Sequence, residues 1–508
     1  MVRTTTFSLL AALTLVPALA AQGFSLDKVG GGMPGLTSFQ VRNGVPTNVY
    51  LILYAFTEVP TPVPSLGITL DIPDTYAGPS MDVPGFFGYL NAQGAANASI
   101  SIPYDPAFEG LAMAFQAIQG DGTTWSTSNK VRVTVQTNAT FADTLTQPPV
   151  PILSGGVVNL PNGEFLFAGG SGPVAQRYSS RTEEWELAGA TFGVGILSQS
   201  TGLADGRVLF TGGLSLTNGQ PTTAAAVYDP VAGTTTNLTM ALPRAGHGAS
   251  LLNNGRVLIS GGLTTFDLTN PLSIFNGLTA TCEIFDPVTN TIIPGPTMLE
   301  PRALHTSTKL TTGDVLIAGG LSLLPIVNVP TVSPTAYRYS QASNSFGLPA
   351  LMNSARFFHS AAPLSNGRVL LAGGLTLDLS VFLQTGQIQD IILGTRSDCL
   401  VYAPSFLGFG TFTAVPGMQE GRAGAGIAPL PGGGALIAGG FRLTIDIPTQ
   451  TFQIGTTATA DVFQQGPNRL FATGSMSAAR FLPLGVTLPD NTVLMVGGGP
   501  SNAEVWQF

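Results

Sequence analysis

The segment LADGRVLFTGG, residues 203–213, decides how the chain is read. Asp205-Gly206 readily takes the positive φ angles of a tight primed turn, whose twist matches that of the flanking strands. Val208, Leu209 and Phe210 follow as a strand that is apolar at every position, as a strand buried on both faces should be. Gly212-Gly213 closes the phrase, where the backbone must approach a neighbour closely or turn through angles other residues avoid. The segment is one β-hairpin with a fixed ending.

The same hairpin occurs seven times, as LPNGEFLFAGG, LADGRVLFTGG, LNNGRVLISGG, LTTGDVLIAGG, LSNGRVLLAGG, LPGGGALIAGG and LPDNTVLMVGG. The leucines are Leu160, Leu203, Leu252, Leu310, Leu364, Leu430 and Leu488, and the glycine pairs open at Gly169, Gly212, Gly261, Gly319, Gly373, Gly439 and Gly497. Spacing within a copy never varies, and successive copies stand 43 to 66 residues apart. A third strand follows each pair (VAQRY, AAAVYDP, TCEIFDP, TAYRY, CLVYAP, ADVFQQ and AEVWQF), and Trp185, Phe346, Phe412 and Phe471 mark a fourth. Four antiparallel strands per unit, with no helical periodicity between them, predict the blades of a β-propeller. The last copy runs out after its third strand, whereas NATFADTLTQPPVPI places Phe141 where a fourth strand belongs, ahead of the first copy. Residues about 138–145 are therefore expected to complete the seventh blade and close the ring.

With R-x-x-H before several copies and Tyr-Asp-Pro after others, the pattern resembles the kelch repeat, over residues 138–508. The resemblance implies an all-β fold: an N-terminal antiparallel β-sandwich followed by a closed seven-bladed kelch-type β-propeller. That order is similar to galactose oxidase-like enzymes, whose copper site needs two tyrosines, one crosslinked to cysteine, and two histidines. Here the only histidines are His247, His305 and His359, each three residues after an arginine at an equivalent repeat position. Equivalent positions on successive blades stand apart rather than converge on one ion. The resemblance therefore implies the scaffold without the copper site, and no cofactor is expected.

Ahead of the repeats, residues 25–136 contain short alternating strands such as SFQVRN, NVYLILYAF and KVRVTVQ, which suit a small β-sandwich. Residues 1–20, MVRTTTFSLLAALTLVPALA, read as a signal peptide: Arg3, a short apolar run, then Ala18-Leu19-Ala20 before a cleavage point at Ala21. The run is too short for a membrane span. Secretion is expected, to the exterior, the cell surface or the periplasm. Cys282 and Cys399 hold equivalent positions in repeats that are not neighbours, so two buried thiols are expected rather than a bridge.

Composition narrows the partners. The 63 glycines and 38 prolines rule out a helical bundle. Net charge is −8 and only 9% of residues are charged, so nothing is available to grip a polyphosphate, and nucleic acid is excluded as a partner. No Walker loop, H-E-x-x-H or G-x-S-x-G is present. Asp267, Asp378, Asp390 and Asp446 sit in variable loops, where spacing says nothing of distance, and Asp229 and Asp286 belong to Asp-Pro turns.

Five copies open with an arginine 17 residues before the glycine pair: Arg244, Arg302, Arg356, Arg422 and Arg480. On the face shared with the loop after strand two they form a candidate ring around the channel mouth, able to bind a carboxylate or sulfated sugar by bidentate pairing. The competing role, which the regular spacing favours, is a tie to backbone carbonyls or an acid between blades. Long apolar insertions between strands two and three share that face and suit recognition. The sequence leads to the expectation of a secreted, non-catalytic binding or scaffolding protein for an extracellular protein or polysaccharide. The alternative is a carbohydrate-active enzyme, a sugar isomerase or lyase, using the arginine-lined face.

Overall fold

A computed structural model describes residues 23–507 except 30–34, 103–105, 109, 137–138, 153–154, 161, 169–173, 189–194, 216, 268–270, 325–328, 388–389, 406–408 and 447–450. The signal segment 1–20 and the glycine pair at Gly169 lie outside the described residues. The chain is all-β apart from single helical turns. No helix among the described residues is long and apolar enough to cross a membrane.

Two compact units are formed, the first from Leu36–Ser101 and Leu111–Val133 with the strand ending at Val29, the second chiefly from Thr134–Phe508. In the first unit, strands Val49–Ala55, Phe87–Tyr89, Ala112–Gly120 and Trp125–Thr134 make one antiparallel sheet, and Ser25–Val29, Gly35–Arg42 and Ala96–Ile102 a second. The Phe39 and Phe115 rings, one from each sheet, meet with centroids 4.5 Å apart.

In the second unit each hairpin read from the sequence supplies two neighbouring strands of an antiparallel sheet: six sheets keep chain order, the fourth with an additional short strand, and the last takes its outer strand from ahead of the first. The third sheet is typical: Gly248–Leu251, Val257–Ser260, Cys282–Asp286 and Thr291–Pro294. The second strands VLFT, VLIS, VLIA, VLLA and VLMV are buried at all four residues. Alternation explains this, because successive side chains of a strand leave opposite faces of the sheet. Val257 and Ile259 pack with Leu209 and Val227 of the second sheet, whereas Leu258 joins Val315 and Ile317 of the fourth. Each such side chain removed from water contributes about 1.5–3 kcal/mol.

Thr140–Asp143 pairs with Ala503–Gln507 as the outer strand of the last sheet, Phe141 opposite Trp506. Leu494 and Val496 of that sheet share an apolar cluster with Phe165 and Phe167 of the first. The first strand of each sheet touches that of the next, and the seventh touches the first. Antiparallel order puts the tight turns of all seven sheets at one end and the sheet entry and strand 2–3 connection at the other, here called the loop face. On that face short hairpins extend the fourth, fifth and sixth repeats: Leu321–Leu323 with Pro330–Val332, Leu375–Asp378 with Ile392–Thr395, and Phe441–Asp446 with Thr451–Thr456.

Candidate functional site

The five sequence-predicted arginines all lie at the seams where one sheet hands the chain to the next, each no more than 1% exposed. Each ties its seam twice. The backbone carbonyl accepts from the second glycine of the preceding pair, as in Gly262 N–H to Arg302 O (2.7 Å) and Gly320 N–H to Arg356 O (2.9 Å). The guanidinium donates to the carbonyl of the first glycine of its own sheet's pair, as in Arg302 Nη1 to Gly319 O and Arg356 Nη1 to Gly373 O. Close approach fixes the glycine: a Cβ on Gly319, whose φ is +63°, would stand 2.4 Å from Arg356 O.

Each guanidinium also has a carboxylate. Glu283, Asp461 and Glu504, second in their third strands, meet Arg244 (2.9 Å), Arg422 (2.9 Å) and Arg480 (2.7 Å). Their other oxygens accept from the backbone N–H groups of Ala241, Gln419 and Ser477. In the fourth sheet Tyr337 occupies that position, and Glu300 supplies the charge to Arg302 (2.8 Å) while accepting from the Tyr337 hydroxyl. In the fifth, Leu400 occupies it and Asp398 meets Arg356 at 2.6 Å. The two copies without arginine, with Ile152 and Gly195 in its place, carry Gln176 and Ala226 at the acid position. The acid at this position accompanies arginine in three of the five arginine copies and is absent from both copies without it, a partial co-occurrence that was legible in the sequence but missed. So was a methionine four residues before each arginine: Met240, Met298, Met352, Met418 and Met476, all buried.

The structure thus places Arg244, Arg302, Arg356, Arg422 and Arg480 behind the loop face rather than around a mouth. Their terminal nitrogens are spent on internal acceptors. Beside them lies an apolar cluster that includes Leu304, Phe357, Leu375 and Phe441. Leu197, Gly246, Leu304, Phe358 and Gly424, all at positive φ, are linked by hydrogen bonds from Gly246 N–H to Leu197 O, Leu304 N–H to Gly246 O, Phe358 N–H to Leu304 O and Gly424 N–H to Phe358 O. Phe441 meets Phe358 edge-to-face and Phe481 at a tilt, with centroids 5.5 and 4.8 Å apart.

The histidines do not converge. Nε2 of His247, His305 and His359 pairs with the hydroxyls of Thr211, Ser260 and Thr306, respectively. Burial, reinforced by the neighbouring arginine, pushes the His247 and His305 imidazoles down to about 3 and His359 well below its ordinary value. All three are neutral at ordinary pH. Cys282 and Cys399 are free and buried, and burial raises their thiols to about 12. Among the described residues no group of three or more His, Cys, Asp or Glu could hold a metal ion.

Of the loop acids, Asp378 caps Ser380 N–H and Asp390 accepts from Thr385. Asp229 and Asp286 brace their turns through the N–H groups of Val231 and Val288. None of these faces another acid. Charge gathers instead at the seam between the fifth and sixth sheets, at residues the sequence reading did not single out. Arg396 Nε donates to Asp398 Oδ1 at 2.6 Å, and Arg442 Nη1 lies 3.5 Å from Glu420 Oε2. Side-chain exposure is 26% and 37% for the first pair, 49% and 21% for the second. The pairs are adjacent: Arg422 N–H donates to Arg396 O, and Leu443 N–H reaches Thr395 Oγ1. Burial alone would raise both carboxyls. For Asp398 the bond from Arg396 and the charge of Arg356 outweigh it, for Glu420 the hydroxyls of Thr457 and Thr459 with the charges of Arg422 and Arg442. Both acids lie below their ordinary range and are ionised near neutrality.

No family model matches the chain, and no curated protein matches it. Among solved structures, the chain is similar to a fungal alcohol oxidase of the AA5 family in complex with copper, at 14% identity, covering 62% of this chain and 74% of that one with a TM-score of 0.36. So slight a likeness transfers neither activity nor metal. The expectation of a non-catalytic binding or scaffolding protein is nonetheless corrected. The arginines that were to bind a partner are sealed inside the seams.

Proposed function

We propose that residues 138–508 form a closed seven-bladed propeller of kelch type, and that the chain is an exported carbohydrate-active enzyme. We place its chemistry, of the sugar lyase or isomerase kind, on the loop face between the fifth and sixth sheets. Closure is supported by Gly498 N–H donating to Ile152 O at 3.0 Å, which repeats at the seventh seam the bond that arginine carbonyls accept elsewhere. The observation carrying the functional reading is the pair of partly exposed carboxylates, Asp398 and Glu420, with Arg396 Nε 2.6 Å from the first and Arg442 Nη1 3.5 Å from the second. Glycoside hydrolysis needs one carboxyl still protonated at working pH. An ionised carboxylate beside guanidinium groups can accept a proton from carbon, the step shared by lyases and isomerases. The buried arginines then act as positioning residues that fix the seam.

The test is turnover by the full chain on a panel of polysaccharides and sugars, followed by product analysis. Lyase or isomerase product from wild type, lost in Glu420→Gln while its melting temperature stays near wild type, and lost in Asp398→Asn while its circular dichroism spectrum stays that of the folded chain, is the expected result. No turnover on any member, or full turnover in both variants, overturns the reading.

A further inference from the structure

The chain carries eight more acidic than basic residues, yet the seam between the fifth and sixth sheets has the opposite balance. Arg356, Arg396, Arg422 and Arg442 face Asp398, Glu420 and Asp461 there, four cations against three anions. The surplus is available at the surface. Arg396 commits its Nε to Asp398, and no partner for its terminal nitrogens is found among the described residues. Arg442 is half exposed, with one long contact to Glu420. Arg356, which shares Asp398 with Arg396, and Arg422, which shares Glu420 with Arg442, spend their terminal nitrogens on internal carbonyls, hydroxyls and carboxylates.

A guanidinium presents parallel N–H groups that fit both oxygens of a carboxylate. Arg396 and Arg442, brought together where Leu443 N–H reaches Thr395 Oγ1, present two guanidiniums with uncommitted N–H groups, which match a ligand that carries a carboxylate. From this juxtaposition we infer that Arg396 and Arg442 form a subsite for the carboxylate of a uronate residue in an acidic polysaccharide. The inference rests on the carbohydrate reading for the nature of the ligand and names its substrate class. It also gives Asp398 and Glu420 a chemical reason to be ionised. Pairing the sugar carboxylate with guanidinium acidifies the carbon-bound proton beside it. A base takes that proton, the C–H electrons become the new C=C bond, and the glycosidic oxygen leaves with its bonding pair to be protonated by water.

Calorimetric titration of the full chain with oligogalacturonate, and separately with the neutral galactose oligomer, tests the subsite without requiring turnover. Oligogalacturonate is expected to bind and to weaken with added salt, the neutral oligomer to bind at least about tenfold more weakly. Arg396→Ala and Arg442→Ala should each lose about tenfold or more, and Arg442→Lys should recover part, with melting temperatures near wild type. Equal binding of the two oligomers, or wild-type affinity in both alanine variants, overturns the subsite. Uronate binding without turnover of any sugar would sink the enzymatic reading and leave the subsite standing. Turnover of a neutral sugar without uronate binding would do the reverse.

Discussion

Arg422 and Arg442 stand 20 residues apart and share one carboxylate, Glu420, at 3.9 and 3.5 Å, yet they belong to two different regions of the molecule. Arg422 lies in a seam, with its side chain wholly covered and bonds to Gly439 O, Thr459 and Asp461. Arg442 lies on the protruding hairpin, nearly half exposed. The contrast teaches that repeat position and exposure, rather than residue type, separate the arginines that hold sheets together from those able to meet a ligand. A seam arginine is fixed by symmetry and recurs. A surface arginine in an insertion occurs once, where the repeat gives no rule.

The strongest way to break this comparison is to remove a seam guanidinium. Arg480→Ala leaves Glu504, itself 2% exposed, as a buried carboxylate without its cation. A loss of about 3–5 kcal/mol is expected by denaturant unfolding. A loss within about 0.5 kcal/mol would mean that the seam does not depend on the pair.

Next in size is a pH effect confined to the seams. His247 and His305 are held far below the unfolded value of about 6.5, so the unfolded chain binds protons first. Their contribution to stability is complete above about pH 6.5 and is lost progressively as pH falls toward about 3. Melting temperature should therefore drop between pH 6.5 and 5, before ordinary carboxylates titrate. His305→Gln should flatten that slope, and an unchanged slope would show that the imidazole is not buried neutral.

A smaller effect sharpens the difference between seams with and without arginine. Replacing Ile152, which stands in the arginine position ahead of the first sheet, with alanine removes only apolar packing. It should cost about 2–4 kcal/mol with no dependence on salt or pH. Unfolding of the Ile152→Ala variant in low and high salt checks this.

Much of this architecture could be read from seven phrases. The turn dipeptide, the strand apolar at every residue and the glycine pair are local chemistry, and each coincides with a hairpin that supplies two neighbouring strands of a sheet. The acids at Glu283, Asp461 and Glu504 were also legible, because they share one repeat position and the two copies without arginine lack them. Glu300 and Asp398 were harder. They reach their arginines from other positions, since Tyr337 and Leu400 fill the usual one. Arg396 and Arg442 carried no signal at all. They lie in insertions of different length, and only folding brings Thr395 beside Leu443. The five arginines were found for the right reason, their spacing, but spacing does not say which way a side chain faces.

Thermal melting of Arg422→Ala and Arg442→Ala, made in the same background and compared with wild type, tests the central distinction most directly. The account predicts a large drop for Arg422→Ala, and for Arg442→Ala a melting curve equivalent to a change within about 0.5 kcal/mol. Equal destabilisation by the two variants, or a wild-type curve for Arg422→Ala, would contradict it.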